Sequence, residues 1–120
     1  MGWEEEPMLN PYYSSDKLKW EVLEFNEPGL SYEYNALCFW NTGKGIYWAD
    51  DSGCSCPTPF ERYEGEDAAS IIENLGGPVK TLAEAKAIIE EFSTRYNRKP
   101  FLSIAEVERG LETLKQWGLE

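Results

Sequence analysis

The chain has no histidine. That removes the side chain whose ordinary pKa lies nearest neutrality, and with it the commonest general base and a frequent metal ligand. Cysteine is scarce: Cys38, Cys54 and Cys56 make three, an odd number that argues against a disulfide framework. No apolar run approaches the roughly 18 to 20 residues needed to span a bilayer. The segment 1–7 is acidic and lacks the apolar stretch of a secretory signal, and Glu6 stands where a myristoylation pattern needs Ser or Thr. The expected location is therefore cytoplasmic. A Gly-rich phosphate loop is also missing, since Gly43-Lys44-Gly45 is too short and sits in turn chemistry rather than before a helix.

Basic residues are few, 11 against 22 acids, and the imbalance is local. Residues 1–73 hold 15 acids against Lys17, Lys19, Lys44 and Arg62, which accounts for the whole net charge of −11. Residues 74–120 hold seven of each sign. Such a front half repels nucleic acid and membrane surfaces and attracts basic partners. Solubility alone is the plainer use of the same charge.

At 120 residues the chain is long enough for one core. Residues 1–16, with Pro7, Pro11 and a Ser14-Ser15-Asp16 turn, read as an irregular arm, and 17–120 as a single domain. Within it, 17–63 is an acidic, aromatic-rich sheet ending in a cysteine loop, and 64–120 is helical. Alternation over 17–25, with Leu18, Trp20 and Val22 on one side, predicts a strand. Asn26-Glu27-Pro28-Gly29 is a turn, and a second strand runs over 30–40 with Tyr32, Tyr34, Ala36, Cys38 and Trp40 on one face. Residues 41–45 close a hairpin to a third strand over 46–49, in a register that sets Trp40 near Ile46 and Cys38 near Trp48.

Helix signals take over after Glu66. A short apolar stripe runs to Leu75 and is stopped by Gly76-Gly77-Pro78. Thr81-Leu82-Ala83-Glu84 and Ser103-Ile104-Ala105-Glu106 are both capping boxes. Each opens an apolar stripe: Leu82, Ala85, Ile88, Ile89, Phe92 and Tyr96, then Ile104, Val107, Leu111 and Leu114. The predicted class is α+β, a three-stranded antiparallel meander followed by two or three helices packed on one face.

The densest chemistry lies in residues 49–61. Cys54 and Cys56 can hold a soft cation such as zinc, with Cys38 and Asp50 or Asp51 completing four ligands. The spacing of one residue is tighter than the usual pair, and a small, buried role in a rigid loop explains the same thiols. A redox role ranks lower, because no nearby base depresses either thiol pKa. Asp50 and Asp51, with Glu61, form a carboxylate group that acid–base chemistry could use, yet no nucleophile with an adjacent base accompanies it. An Asx-type turn accounts for Asp51-Ser52-Gly53 equally well. The aromatics Tyr32, Tyr34, Phe39, Trp40, Tyr47 and Trp48, joined by Phe60 and Tyr63, outnumber what one sheet face needs. They read as core first and interface anchors second. Arg95-Tyr96-Asn97-Arg98-Lys99, the one basic concentration, is explained by a helix C-terminus.

The run Tyr47-Trp48-Ala49-Asp50-Asp51-Ser52-Gly53-Cys54-Ser55-Cys56-Pro57-Thr58-Pro59-Phe60-Glu61 resembles the signature of a domain-of-unknown-function family of small actinobacteriophage proteins. The resemblance covers residues 18–63, and the C-terminal helices add little. It implies an accessory protein acting in a host cytoplasm. The leading expectation is a non-catalytic protein without a cofactor that binds a host protein, such as a nucleic-acid-binding one, by charge mimicry. Its contacts would be Asp50, Asp51, Glu61, Glu64, Glu66 and Asp67, with Trp48 and Phe60. The alternative is a small zinc-stabilised module on Cys54, Cys56 and Cys38. An Asp-dependent enzyme is the third.

Overall fold

The computed structural model describes residues 8–54, 59–95 and 99–120, with Cys54 through its backbone alone. One helical turn, α1 (Ser15–Leu18), leads into three strands, β1 (Glu21–Asn26), β2 (Glu33–Asn41) and β3 (Ile46–Cys54). They form an antiparallel sheet in the order β1-β2-β3. A 3-10 turn (Glu61–Tyr63) and three helices follow: α2 (Ala68–Glu73), α3 (Leu82–Thr94) and α4 (Ile104–Gln116). The α+β meander followed by helices is as the sequence predicts.

Several local boundaries differ from the sequence reading, for identifiable reasons. The strand expected from residue 17 begins at Glu21, because the Asn10 carboxamide oxygen accepts from the Tyr12 and Tyr13 N–H groups at 2.7 and 3.1 Å and starts a chain of turns. Those turns end at Lys19 in the left-handed region, φ 61°. Leu18, Trp20 and Val22 still pack on one side, as the alternation requires. The second strand starts at Glu33, leaving Tyr32 exposed. The hairpin loop is one residue shorter than expected, since Thr42 and Gly45 close it and Asn41 pairs with Ile46. Trp40 therefore opposes Tyr47, not Ile46, and Cys38 opposes Ala49, not Trp48. A slip of one residue exchanges sheet faces.

Both faces of the sheet are covered. On one, Phe25, Leu37, Phe39 and Ile46 meet Ala85, Ile89 and Phe92 of α3 and Leu114 of α4. On the other, Ala36, Cys38, Trp40 and Ala49 meet Trp20, Phe60, Ile71 and Leu75. The two long helices thus share one face as expected, while α2, the arm and residues 59–75 cover the opposite one. This explains why β2 is buried at every position from 35 to 40, where simple alternation predicts one buried face.

Helix ends follow the capping chemistry. The Ser103 box is complete: its hydroxyl accepts from Glu106 N–H at 3.1 Å, and the Glu106 carboxylate accepts from Ser103 N–H at 3.0 Å. At α3 the Thr81 hydroxyl accepts from Glu84 N–H, but the Glu84 carboxylate takes the N–H of Lys80, one residue earlier than a standard box. Ile104 belongs to the predicted stripe yet is 79% exposed; the first residue of α4, it is one of the residues lining the groove between α3 and α4.

Candidate functional site

β3 continues past Ala49, so Asp50, Asp51, Ser52 and Gly53 are strand rather than loop. Strand geometry sends successive side chains to opposite faces. Asp50 and Asp51 are adjacent in sequence but separated by the sheet. They do not form a paired-carboxylate site.

Asp50 faces α3. Its Oδ2 accepts from Arg95 Nη2 at 2.7 Å. The same guanidinium grips Glu91 twice, Nε to Oε1 at 3.0 Å and Nη2 to Oε2 at 2.6 Å. Arg95, expected to serve the helix C-terminus, instead ties α3 to the sheet. Its own pKa is driven upward by those hydrogen bonds, Glu91 first and Asp50 second. Glu91 is held below the usual carboxylate range, chiefly by its hydrogen bond from Arg95. A carboxylate depressed in the folded state contributes stability above its unfolded pKa of roughly 4.3 and loses it as pH falls through the lower folded value. Glu91→Gln should therefore lower the thermal midpoint at pH 7 by the equivalent of a few tenths of a kcal/mol, Glu91 being largely exposed, and by less at pH 3. Thermal unfolding followed by circular dichroism at both pH values checks this; an equal loss at each would refute the assignment.

Asp51 faces the other side. Its Oδ2 accepts from the Phe60 N–H at 2.7 Å and from the Tyr34 hydroxyl at 3.0 Å, and Arg62 lies 3.6 Å from Oδ1. Phe60 sits in the left-handed region, φ 61°, rarely adopted by a bulky residue. The Asp51 carboxylate holds that backbone, and the fully buried ring fills the space between Tyr12, Trp40 and Tyr63. The Trp40 indole N–H donates to the Pro11 carbonyl at 2.9 Å, which pins the arm to the same cluster. Asp51 is a structural clasp.

The remaining predicted contact residues divide. Phe60 is interior and Trp48 is half-buried against the helical face, with its indole 2.5 Å from where a Cβ on Gly76 would stand. Phe60 therefore presents no free aromatic face of the kind an interface anchor needs. Glu64 is half-buried and accepts from the Asn10 carboxamide at 3.0 Å. Asp67 caps α2, accepting from Ser70 N–H at 2.9 Å, and that bond keeps its pKa low. Glu61 and Glu66 are exposed. Among the described residues, ion pairs reach Asp50, Asp51, Glu90 and Glu91 only, so Glu61, Glu64, Glu66, Asp67 and Glu73 have no cation partner. Tyr13, which the sequence marked only as a tack for the arm, is 63% exposed and stands edge-on to Tyr12.

Cys38 and Cys54 do not converge. Cys56 and the Cys54 side chain lie outside the described residues. Cys38 is buried, and burial pushes its thiol pKa up. In the strand register Cys54 pairs with Glu33 and Cys38 with Ala49, five positions apart, or about 16 Å along the sheet. One tetrahedral ion with sulfur ligands at about 2.3 Å cannot bridge that span. Cys38 is thus no co-ligand of Cys54. Among the described residues no group of three cysteines or carboxylates is arranged to hold a metal ion, and no helix is long and apolar enough to cross a membrane.

No curated protein and no solved structure matches the chain. A family profile does, and it extends through the helices to which the sequence resemblance assigned little. It spans residues 10–117, nearly the whole folded domain, and the protein belongs to the family described as a domain of unknown function, DUF7574.

Proposed function

We propose that the protein binds a basic partner protein through the layer formed by its N-terminal arm and residues 59–75. In the finer form of this reading it is a phage accessory protein whose carboxylates stand in for the phosphates that a host nucleic-acid-binding protein would meet. The observation that carries the proposal is the row of carboxylates without cation partners among the described residues, Glu61, Glu66, Asp67 and Glu73, on one covering layer. Arg62 is the exception in that row, and it turns back toward Asp51 and the Tyr63 ring. The exposed Tyr13 supplies an aromatic contact in the same layer. Asp51 and Phe60 support the layer from beneath, whereas Asp50 and Trp48 face the helices on the other side of the sheet.

Charge-dominated association weakens with salt, since screening shortens the reach of exposed charges. With a captured partner, calorimetric affinity should fall at least about tenfold between 0.1 and 0.5 M salt. A Glu61→Gln, Glu66→Gln, Asp67→Asn, Glu73→Gln variant should lose at least about tenfold at low salt while remaining folded, because Asn caps a helix as well as Asp. Salt-independent affinity, or an unaffected variant, would rule the reading out.

A further inference from the structure

The two edges of the sheet are finished differently. On β3 the even-numbered residues turn their backbone groups outward, and the chain itself occupies them. Trp48 N–H donates to the Gly76 carbonyl at 3.0 Å, and the Trp48 carbonyl accepts from Gly76 N–H at 2.8 Å. The Ile46 carbonyl accepts from Val79 N–H at 2.8 Å. The Asp50 carbonyl accepts from Arg62 at 3.2 Å and from the Tyr63 hydroxyl at 3.5 Å.

Among the described residues β1 has no such cover. The Glu27 N–H donates to the Asn35 carbonyl at 3.0 Å, which sets the phase of the ladder. In an antiparallel pair, residues that exchange bonds alternate with residues that do not. Glu21, Leu23 and Phe25 therefore turn their backbone toward β2, while Val22, Glu24 and Asn26 turn theirs outward. Among the described residues those outward groups have no backbone partner. Beside them a groove of about 340 Å³ runs between the strand and α4, bounded by Leu23, Phe25, Leu102, Glu106, Arg109 and Gly110.

We propose that β1 is a docking edge for an extended segment of a partner protein in which basic and uncharged residues alternate. This stands on backbone geometry and is independent of the acidic layer, so either proposal can fail alone. The backbone groups specify a strand as the occupant. Charge specifies its side chains. On the helix side of the edge, Arg109 stands at the groove, so basic residues are disfavoured there and uncharged ones fit beside Leu23, Phe25 and Leu102. On the other side Glu24 is exposed, with one oxygen engaged by the Tyr12 hydroxyl, and selects a cation. A second copy fits poorly. It brings another net charge of −11, and a two-fold axis normal to the sheet at the centre of Glu24 would set the two Glu24 side chains face to face.

The test is a titration of the isotope-labelled protein with a blocked peptide, Lys-Val-Lys-Val-Lys-Val-Lys, followed by amide NMR and hydrogen exchange. The Val22, Glu24 and Asn26 amides should shift and exchange at least about tenfold more slowly at saturation, whereas Leu23 and Phe25, already bonded to β2, should change little. Glu24→Pro removes an outward N–H that the fold does not use and should abolish binding. A peptide N-methylated at alternate residues should fail against the unaltered protein, which keeps the test independent of that variant's folding. The proposal is overturned by no β1 response up to about 5 mM peptide. It is also overturned by shifts confined to residues 61–73 that survive Glu24→Pro, or by a β1-paired dimer in sedimentation.

Discussion

Asp51→Ala should destabilise the fold by about 3 kcal/mol, whereas Asp51→Asn should cost about 1. The alanine variant leaves the Phe60 N–H without its acceptor at a residue already in the left-handed region, and removes the acceptor that Asp51 offers the Tyr34 hydroxyl. Hydrogen bonds to a charged group contribute roughly 1.5–3 kcal/mol, and an unsatisfied donor adds the cost of its desolvation. Asparagine keeps a neutral oxygen at the same place. Urea denaturation followed by tryptophan fluorescence separates the two, with an unchanged m-value expected for both. Equal losses would mean that the negative charge, through Arg62 3.6 Å away, matters more than the geometry of the clasp. Losses near zero would return Asp51 to the surface as a free carboxylate and reopen a chemical role for it.

Gly110→Ala should cost about 2 kcal/mol, although the same change in an exposed helix gains about 1. A Cβ at Gly110 would lie 2.2 Å from Cζ and 2.8 Å from Cε1 of Phe25, inside a ring that is itself buried against Phe39 and α4. The neighbour is a rigid ring in a packed core, so relief requires α4 to move off the sheet. For a chain of this size each kcal/mol shifts the thermal midpoint by about 4–6 °C. Phe25→Leu in the Gly110→Ala background should recover part of the loss, because the smaller side chain vacates the Cβ position. A Gly110→Ala protein as stable as the parent would show that α4 does not press on β1 so closely, and the groove beside that edge would then be differently shaped.

The first experiment bears on how much of the acidic front half is structural. Residues 49–61 attracted every chemical reading because they concentrate acids, thiols and a rigid turn. The tertiary structure distributes them: Asp50 to α3 and Asp51 to Phe60. The signal that could have warned of this was Arg95. It is a base four residues after Glu91, and its second partner lies 45 residues away in sequence.

What the sequence determined by itself was whatever depends on neighbours within about four residues. The capping residues Asp67, Thr81 and Ser103 start α2, α3 and α4, and Gly118 at φ 103° ends the last. The three strands, the turns between them and the concentration of charge in residues 1–73 were legible in the same way, since each rests on local hydrogen bonding, side-chain period or composition. Only the tertiary structure decided the register of β2 on β3, the second covered face of the sheet, the separation of Asp50 from Asp51, and which edge strand lacks a backbone partner among the described residues. Those outcomes depend on groups distant in sequence meeting at fixed distances, and a single residue in the 42–45 turn reverses which face every β3 side chain takes.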